Sequence, residues 1–504
     1  MRRTTALIGA GTAAVMLVTG CSAGDGADLG DSSGALVAAI AGEPDQLDPH
    51  MTTSYFSFQV LENVYDTLVE PDENLDMQPA LAESWELSED QLTWTFQLRD
   101  DVTFHDGTEF TADDVLYSYN RIIDEELSNA WRLSAIEEIT APDEHTVEIT
   151  VSQPSPNLLS NLGGFKGMAI VQEANVTSGD ITTHPIGTGP FAVDDYTSGD
   201  SISLTANENH WSGKPEVPGV EFRFISEGST AIAALKSGEI DWTDSIPTQQ
   251  VEALQAETET VTLGQTPSND YWYLALNEAR EPWNDVRVRQ AIAYAIDRDA
   301  IVQATTYGTA VANQLAIPEQ SVWYHEYSPY TTDIDTARDL LDQAGVTDVT
   351  MDLMVTSEYP ETVTAAQIIA DNLEPLGITV EIRSPDFATW LDEQNTGNFD
   401  MLMMGWLGNI DPDDFYYAQH HSDGANNAQG YSNPEVDDLL DEARTETDDA
   451  TRQRLYADLA TIIADEVSYI YLYNPSVIQA WSADLDYRIR GDRAVRFRDA
   501  SLGG

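Results

Sequence analysis

Apolar and polar residues alternate along three short stretches of the chain, residues 92–98, 147–151 and 220–224. A period of two places every second side chain on the same face of an extended strand. In the first stretch, Trp94 and Phe96 share that face. We therefore predict three strands, each with one buried face.

A helical period follows Asp285. The apolar residues that share one helical face are Val288, Ala291, Ile292, Ala295 and Ile296. Arg287, Arg289 and Arg298 lie off that face. We predict a helix that starts after Asp285 and exposes these arginines to solvent.

Helices and strands alternate through the C-terminal half. The predicted order is a helix at 362–376, a strand at 378–384, a helix at 388–393, a strand at 399–406, helices at 435–443 and 451–466, and a strand at 469–473. Gly377 marks the end of the first helix, and the apolar run at 399–406 is typical of a strand covered on both faces. The pattern leaves α/β and α+β as fold classes and favours a doubly wound lobe here.

Composition indicates a large folded protein. The chain has 504 residues, of which 42% are hydrophobic and 22% are charged, enough for a core in two or more lobes. Its 87 Asp and Glu residues outnumber 23 Lys and Arg, which gives a net charge of −64. We expect no nucleic-acid partner and no attraction to anionic membranes, because both need cationic patches. So acidic a surface also predicts a halophilic host, where salt screens the self-repulsion.

Residues 1–20 have the features of a secretory signal. Arg2 and Arg3 precede an apolar run at 6–19, which is too short to span a bilayer easily. The two arginines fit either a twin-arginine or a general export route. The chain is therefore predicted to act outside the cytoplasm.

Cys21 is the only cysteine, and it follows small residues at the end of the apolar run. Residues 17–21 resemble a lipoprotein lipobox. The resemblance implies a lipid anchor on Cys21 at the extracytoplasmic face of the membrane, with residues 21–34 as a flexible tether. A buried thiol is the alternative interpretation.

Catalytic and metal-binding patterns are weak. The sequence contains no His-Glu-x-x-His and no Walker Gly-x-x-x-x-Gly-Lys motif. Neighbouring side chains usually point apart, so we interpret His420 and His421 as surface residues. The residues at 105–107 read as a hairpin turn with Asp-Gly at its tip, and GTGP at 187–190 reads as another turn. We predict no catalysis, no cofactor and no metal site.

Six phrases of the sequence occur in a familiar order. They lie at 42–70 (beginning GEPDQLDPH), 78–122, 185–191 (PIGTGPF), 234–242 (ALKSGEIDW), 284–302 and 405–444 (beginning GWLGN). Together they resemble the family 5 extracellular solute-binding proteins of ABC importers, which include dipeptide-, oligopeptide- and nickel-binding proteins.

The resemblance implies a two-lobed periplasmic-binding-protein-like α/β fold of the large type II form, with the ligand between the lobes. Lobe one is expected at 35–270, with an inserted domain at about 75–184, and lobe two at 271–477. The segment 478–504 returns to lobe one. The expected partners are ABC permease subunits, and the expected state is a monomer.

Aromatic residues are the first candidates for ligand contacts, because a cleft for an organic ligand needs apolar area. Trp406 ends the buried strand at the carboxyl edge of a doubly wound sheet, where ligands bind. Tyr271 and Trp272 lie near the expected lobe crossing, and Tyr55 and Phe56 lie on a predicted loop. Core packing is the alternative for each pair.

The resemblance implies further contacts. Nickel-binding relatives place an aromatic residue near Trp131 and a cation near Lys166; a core position for Trp131 and a solvated side chain for Lys166 are the alternatives. Peptide-binding relatives hold the ligand's α-ammonium with an aspartate where this chain has Asn409, so Asp411 either takes that role or caps a helix. Residues 354–367, where dipeptide-binding relatives hold the ligand carboxylate with arginine, contain no Arg.

These departures weaken a strict dipeptide assignment but are compatible with longer peptides, and the predicted solute is a di- or oligopeptide. A nickel or other metal chelate, an opine and an oligosaccharide are the alternatives of the same binding class. A secreted hydrolase is the alternative from another class.

Overall fold

The computed structural model describes residues 34–165, 167–357, 359–407 and 410–503. The predicted signal at 1–20, Cys21, nearly all of the predicted tether, Lys166 and Asn409 lie outside these residues. Within them, no helix combines the length and the apolar character needed to cross a membrane.

Seven strands form the first sheet. Side by side, they are Val261–Pro267, Ser476–Ser482, Trp242–Thr243, Leu36–Ile40, Gly219–Phe224, Ser201–Ala206 and Phe191–Thr197. Leu36–Ile40 runs parallel to both of its neighbours. Four of its five residues are buried, as expected for a strand covered on both faces.

Six strands form the second sheet. Side by side, they are Val311–Ala312, Tyr469–Asn474, Tyr271–Leu276, Met401–Trp406, Val349–Met354 and Ile378–Arg383. The last three are mutually parallel, and Tyr271–Leu276 is antiparallel to both of its neighbours. The chain passes from the first sheet to the second through residues 268–270 and returns through Pro475.

A third sheet has four antiparallel strands. In order, they are Ala82–Leu87, Thr93–Leu98, Thr146–Val151 and Ile136–Asp143. The helix Ala112–Asp124 packs on it and buries Val115, Tyr119 and Ile122 in a separate hydrophobic core. Two-stranded pairs are formed by Val69–Pro71 with Met77–Pro79 and by Leu485–Asp486 with Ser501–Leu502.

Helices cover the sheets. The α-helices are Tyr55–Leu61, Ala112–Asp124, Leu158–Gly163, Glu173–Ser178, Gly228–Ser237, Val251–Gln255, Val286–Ala295, Arg298–Thr306, Ile334–Ala344, Pro360–Leu373, Phe387–Asn395, Pro412–His420, Pro434–Thr445 and Asp449–Glu466. Short 3-10 helices are Ala130–Leu133, Asp180–Thr182, Thr248–Gln250 and Glu374–Leu376. The helices and strands predicted from periodicity are confirmed, with ends that differ by a few residues.

Two of the three arginines predicted to be exposed are buried instead. Arg289 donates hydrogen bonds to the carbonyl of Glu466 at 2.7 and 3.1 Å and pairs with Glu278 at 3.0 Å. Arg298 donates to the carbonyl of Tyr471 at 2.8 Å. The acceptors come from segments distant in sequence, which explains why a helical period alone assigned these side chains to solvent.

The adjacent histidines also differ from their prediction as surface residues. His420 is fully buried, and its ring nitrogens lie 2.9 Å from the Ser468 hydroxyl and 2.8 Å from the Tyr471 hydroxyl. Burial lowers the pKa of His420 to about 3, so the ring is neutral. Two hydroxyl partners thus make this histidine part of the core of the second sheet.

Candidate ligand-binding site

The carboxyl ends of three parallel strands lie at one edge of the second sheet, at Met354, Arg383 and Trp406. Tyr271 is paired with Trp406, so the strand Tyr271–Leu276 starts at this same edge, directly after the crossing from the first sheet. Open α/β sheets bind ligands beyond their carboxyl ends. This edge, next to the crossing, is therefore the candidate site.

A cavity of about 160 Å³ lies at this edge. We call it the aromatic pocket, and its principal walls are Trp272, Tyr359, Phe387, Trp390, Trp406 and Leu407. Ring centroids lie 6.0 Å apart for Trp272 and Tyr359, 5.8 Å for Tyr359 and Phe387, and 5.9 Å for Phe387 and Trp390. Four rings thus form a continuous wall.

Local structure explains how the rings meet. Tyr359 lies between the end of Val349–Met354 and the helix Pro360–Leu373, and Phe387 opens the helix that follows Ile378–Arg383. Each ring therefore follows a parallel strand at the same edge. We did not predict Tyr359, Phe387 or Trp390 as pocket residues from the sequence. Tyr359 and Phe387 each follow a strand, and this position was a usable signal.

The aromatic pocket opens to solvent along an apolar rim. Phe387 is 37% exposed, Leu391 is 43% exposed and Leu407 is 42% exposed. Covering apolar surface contributes about 25 cal/mol per Å², and a clustered apolar patch commonly marks a binding site. An apolar group of a ligand gains free energy by entering here.

The corresponding edge of the first sheet carries a polar network. Tyr55 donates hydrogen bonds to Asp244 Oδ2 at 3.3 Å and to the carbonyl of Arg493 at 3.2 Å. Gln59 donates to the same Asp244 oxygen at 2.8 Å. Burial raises the pKa of Asp244 despite these bonds. Tyr55 is thus held by the network, and the neighbouring Phe56 ring covers Gly42, where a Cβ would come within 2.5 Å of it. The predicted loop is wrong here, because both residues belong to the first turn of the helix Tyr55–Leu61.

Between the two sheets lies a larger cavity of about 480 Å³. Its walls come from residues 73–76, 266–267 and 320–323 together with Asn269, Ile410 and Gly491. Pockets for small ligands generally have volumes of about 300–1,000 Å³. The space between the sheets is therefore large enough for an organic solute.

An ion pair secures the crossing beside this cavity. Arg493 binds the fully buried carboxylate of Asp270. Burial opposes the charge of Arg493, but Asp270 raises the pKa of the guanidinium above its usual value. The C-terminal segment is thereby fastened to the first crossing.

Ammonium binding and helix capping are the two roles predicted as alternatives for Asp411. It caps the helix Pro412–His420, and both carboxylate oxygens accept hydrogen bonds from Arg452, at 2.6 and 2.8 Å. Its carboxylate is therefore committed to a buried ion pair. The geometry favours the helix-cap alternative.

Tyr271 and Trp272 are both buried, but they point to opposite faces of the sheet because successive side chains of a strand alternate. Trp272 lines the aromatic pocket. Tyr271 is 1% exposed, stacks on Phe415 with centroids 5.9 Å apart and donates a hydrogen bond to the Phe415 carbonyl at 3.4 Å. The ligand-contact prediction for Tyr271 is therefore replaced by its core alternative.

Trp131 is the most exposed tryptophan among the described residues, at 57%. The Arg132 guanidinium lies over its ring, 4.4 Å from the centroid. Both belong to the 3-10 helix Ala130–Leu133. An exposed indole in this position is available for contact with a ligand.

Comparisons with known proteins agree with this architecture. The chain is 30% identical over 455 residues to the probable D,D-dipeptide-binding periplasmic protein DdpA of Escherichia coli (strain K12), covering 87% of this chain and 88% of that protein. It is 28% identical to the periplasmic binding protein DppA of Helicobacter pylori in complex with the peptide STSA, with a TM-score of 0.83 and coverage of 94% and 98%.

A second solved relative carries a different ligand. The protein AgaA from A.tumefacien R10, in complex with agropinic acid, is 29% identical, with a TM-score of 0.80 and coverage of 94% of this chain and 99% of that one.

The architecture is thus the two-lobed periplasmic-binding-protein-like α/β fold expected from the sequence. The sequence model described as "Bacterial extracellular solute-binding proteins, family 5 Middle" matches residues 76–427, and the chain belongs to this family.

Proposed function

We propose that this protein is the extracytoplasmic substrate-binding subunit of an ABC importer and that it captures peptides between its lobes. The observation that carries the proposal is the aromatic pocket, which lies at the carboxyl edge of the second sheet and opens beside the crossings. The likeness to a probable D,D-dipeptide-binding protein and to a peptide complex supports peptides as the solute.

The proposed lobes follow the two large sheets. Lobe one comprises 35–270 and 478–504 with the inserted domain at about 75–184, and lobe two comprises 271–477. Trp272 and Trp406 form the wall of lobe two, and Tyr55, Phe56 and Trp131 contribute from lobe one. Binding shifts a hinge equilibrium toward a closed state that the permease recognises, because the solute contacts both lobes only when they are closed. No bond of the peptide is made or broken.

Membrane attachment belongs to the same proposal. Residues 1–20 direct export, Cys21 carries the lipid, and the tether at 21–34 lets a monomeric binding domain reach the permease. Lys166 and Asn409 complete the ligand contacts that we propose.

Titration with a tetrapeptide mixture tests the proposal. We expect tryptophan fluorescence to change and the radius of gyration from small-angle X-ray scattering to fall. An opine such as agropinic acid and a nickel chelate serve as comparison ligands, because AgaA carries the former. A response to one of these but to no peptide would replace the peptide assignment.

A further inference from the structure

Almost every arginine of this acidic chain has a carboxylate partner. Within the described ranges, three arginines take part in no ion pair, namely Arg132, Arg298 and Arg454. With 87 acidic residues in the sequence, an arginine without a partner is the exception that needs a reason.

Arg298 and Arg454 have local explanations. Arg298 donates to the carbonyls of Tyr471 and Ala293, at 2.8 and 3.4 Å. Arg454 lies on the exposed side of the helix Asp449–Glu466, where water hydrates its charge. Neither side chain needs an anion.

Arg132 has no comparable partner. One Nη1 hydrogen bond reaches Asn161 Oδ1 at 3.4 Å, and its Nε is buried without a hydrogen-bond partner among the described residues. Burial lowers the pKa of this guanidinium, and the nearby Asp414 opposes that shift only in part. Asp414 is itself engaged as an acceptor from the backbone amides of Ile410 and Asp411.

Arg132 lies near the larger cavity, because the helix Leu158–Gly163 to which it is tied is followed by Gly164, which lies against Ile410 in the wall of that cavity. Asn161 donates to the Arg132 carbonyl at 3.0 Å and so ties it to the helix Leu158–Gly163. That helix is preceded by Asn157, which donates to Asp413 Oδ2 at 3.4 Å. Arg132 therefore lies where elements of the inserted domain meet the helix that follows Trp406.

We infer that Arg132 binds a carboxylate of the carried solute. A guanidinium matches a carboxylate in charge and in planar, two-pronged geometry, and the Trp131 ring supports its face. The inference rests on the proposed function, since it makes the solute a peptide whose carboxylate is recognised.

Three pools of tetrapeptides test the inference: free C-terminal acids, the same peptides as C-terminal amides, and amides that contain one glutamate. Binding is measured by isothermal titration and by native mass spectrometry. We expect the protein to bind acids at least tenfold more tightly than plain amides. In Arg132→Gln that preference should disappear, and in Arg132→Lys it should be partly retained. If the unmodified protein binds the amides that contain one glutamate as tightly as the free acids, the partner of Arg132 is a side-chain carboxylate.

Arg454→Gln is the matched control, because it removes another unpaired charge away from the cleft, and its preference should equal that of the unmodified protein. Thermal unfolding checks that each variant folds. An unmodified protein that binds acids and amides equally, or an Arg132→Gln variant that keeps the preference, overturns the inference while leaving peptide binding intact. Failure to bind any pool contradicts the proposed function itself, and the inference with it.

Discussion

The indole of Trp272 lies against the backbone of Gly405. A Cβ at position 405 would stand 3.0 Å from two atoms of the Trp272 ring, tighter than ordinary carbon contacts. Because glycine has no side chain, the Trp272 ring can lie close to the backbone at position 405. This position of the ring sets the width of the aromatic pocket.

Gly405→Ala should narrow the aromatic pocket. The added methyl displaces Trp272 toward the space where a large side chain would enter, so affinity for peptides with phenylalanine should fall about tenfold, equivalent to about 1.4 kcal/mol. Affinity for all-alanine peptides should stay nearly constant. Isothermal titration with matched peptides measures the difference, and an equal loss for both would show that the pocket does not select side chains.

The volume of the aromatic pocket predicts which side chains it takes. A protein cavity of about 150 Å³ binds benzene, and this pocket measures about 160 Å³. We expect peptides that carry one aromatic or large aliphatic residue to bind best. A competition experiment with a randomised tetrapeptide mixture tests this, and preferential capture of charged residues at every position would contradict it.

Trp406→Ala should weaken binding more than folding. Trp406 lines the aromatic pocket and is only partly buried, and truncating a central aromatic contact costs about 2 kcal/mol of binding free energy or more. Trp283→Ala is the control, because Trp283 is 2% exposed in the core and its loss should destabilise the fold by about 3–5 kcal/mol. If Trp406→Ala unfolded the protein to the same extent, Trp406 would be a core residue.

Asp413 should make stability depend on pH. Burial raises its pKa from 3.8 to about 7, so the folded state holds a proton that the unfolded chain has released between these values. Its contribution to the free energy of unfolding therefore falls as pH rises through this window, by at most about 1.4 kcal/mol per pH unit.

Asp413→Asn cannot ionise and should make stability fall less steeply between pH 5 and 8, measured by urea unfolding, while Glu62 and Glu278, whose pKa values burial raises to about 7 and about 8, keep part of the slope. Asp448→Asn is the control, since hydrogen bonds to Thr451 lower the pKa of Asp448 and the carboxylate stays ionised throughout. It should change stability without changing the slope. Parallel curves for Asp413→Asn and the unmodified protein would show that Asp413 is ionised in the folded state across this range.

The net charge of −64 predicts a dependence on salt. At low ionic strength the carboxylates repel one another, and salt screens that repulsion. The midpoint of thermal unfolding should rise between low and molar sodium chloride. A flat or falling midpoint would count against adaptation to high salt.

The sequence indicated the position of Trp406 because a continuous apolar run identifies a buried strand, and the end of such a strand is where doubly wound sheets bind ligands. The sequence also indicated Trp272 as a candidate near the lobe crossing, but it did not show whether Trp272 or Tyr271 lines the pocket. Alternation places the two on opposite faces, and only the three-dimensional packing shows which face borders the aromatic pocket.

Other features depend on contacts between distant segments. Phe387 and Trp390 reach the aromatic pocket because Ile378–Arg383 is the edge strand next to Val349–Met354, a strand order that periodicity does not encode. Arg289 is buried because the carbonyl of Glu466 accepts its hydrogen bonds. A local pattern contains no signal for either partner.

Native mass spectrometry of the protein as isolated tests solute capture most directly. We predict a fraction of molecules whose mass exceeds that of the bare chain by the mass of a short peptide, released intact on denaturation. Repeated preparations from peptide-rich medium that contain only the bare chain, or only cleaved fragments of an added peptide, would contradict it.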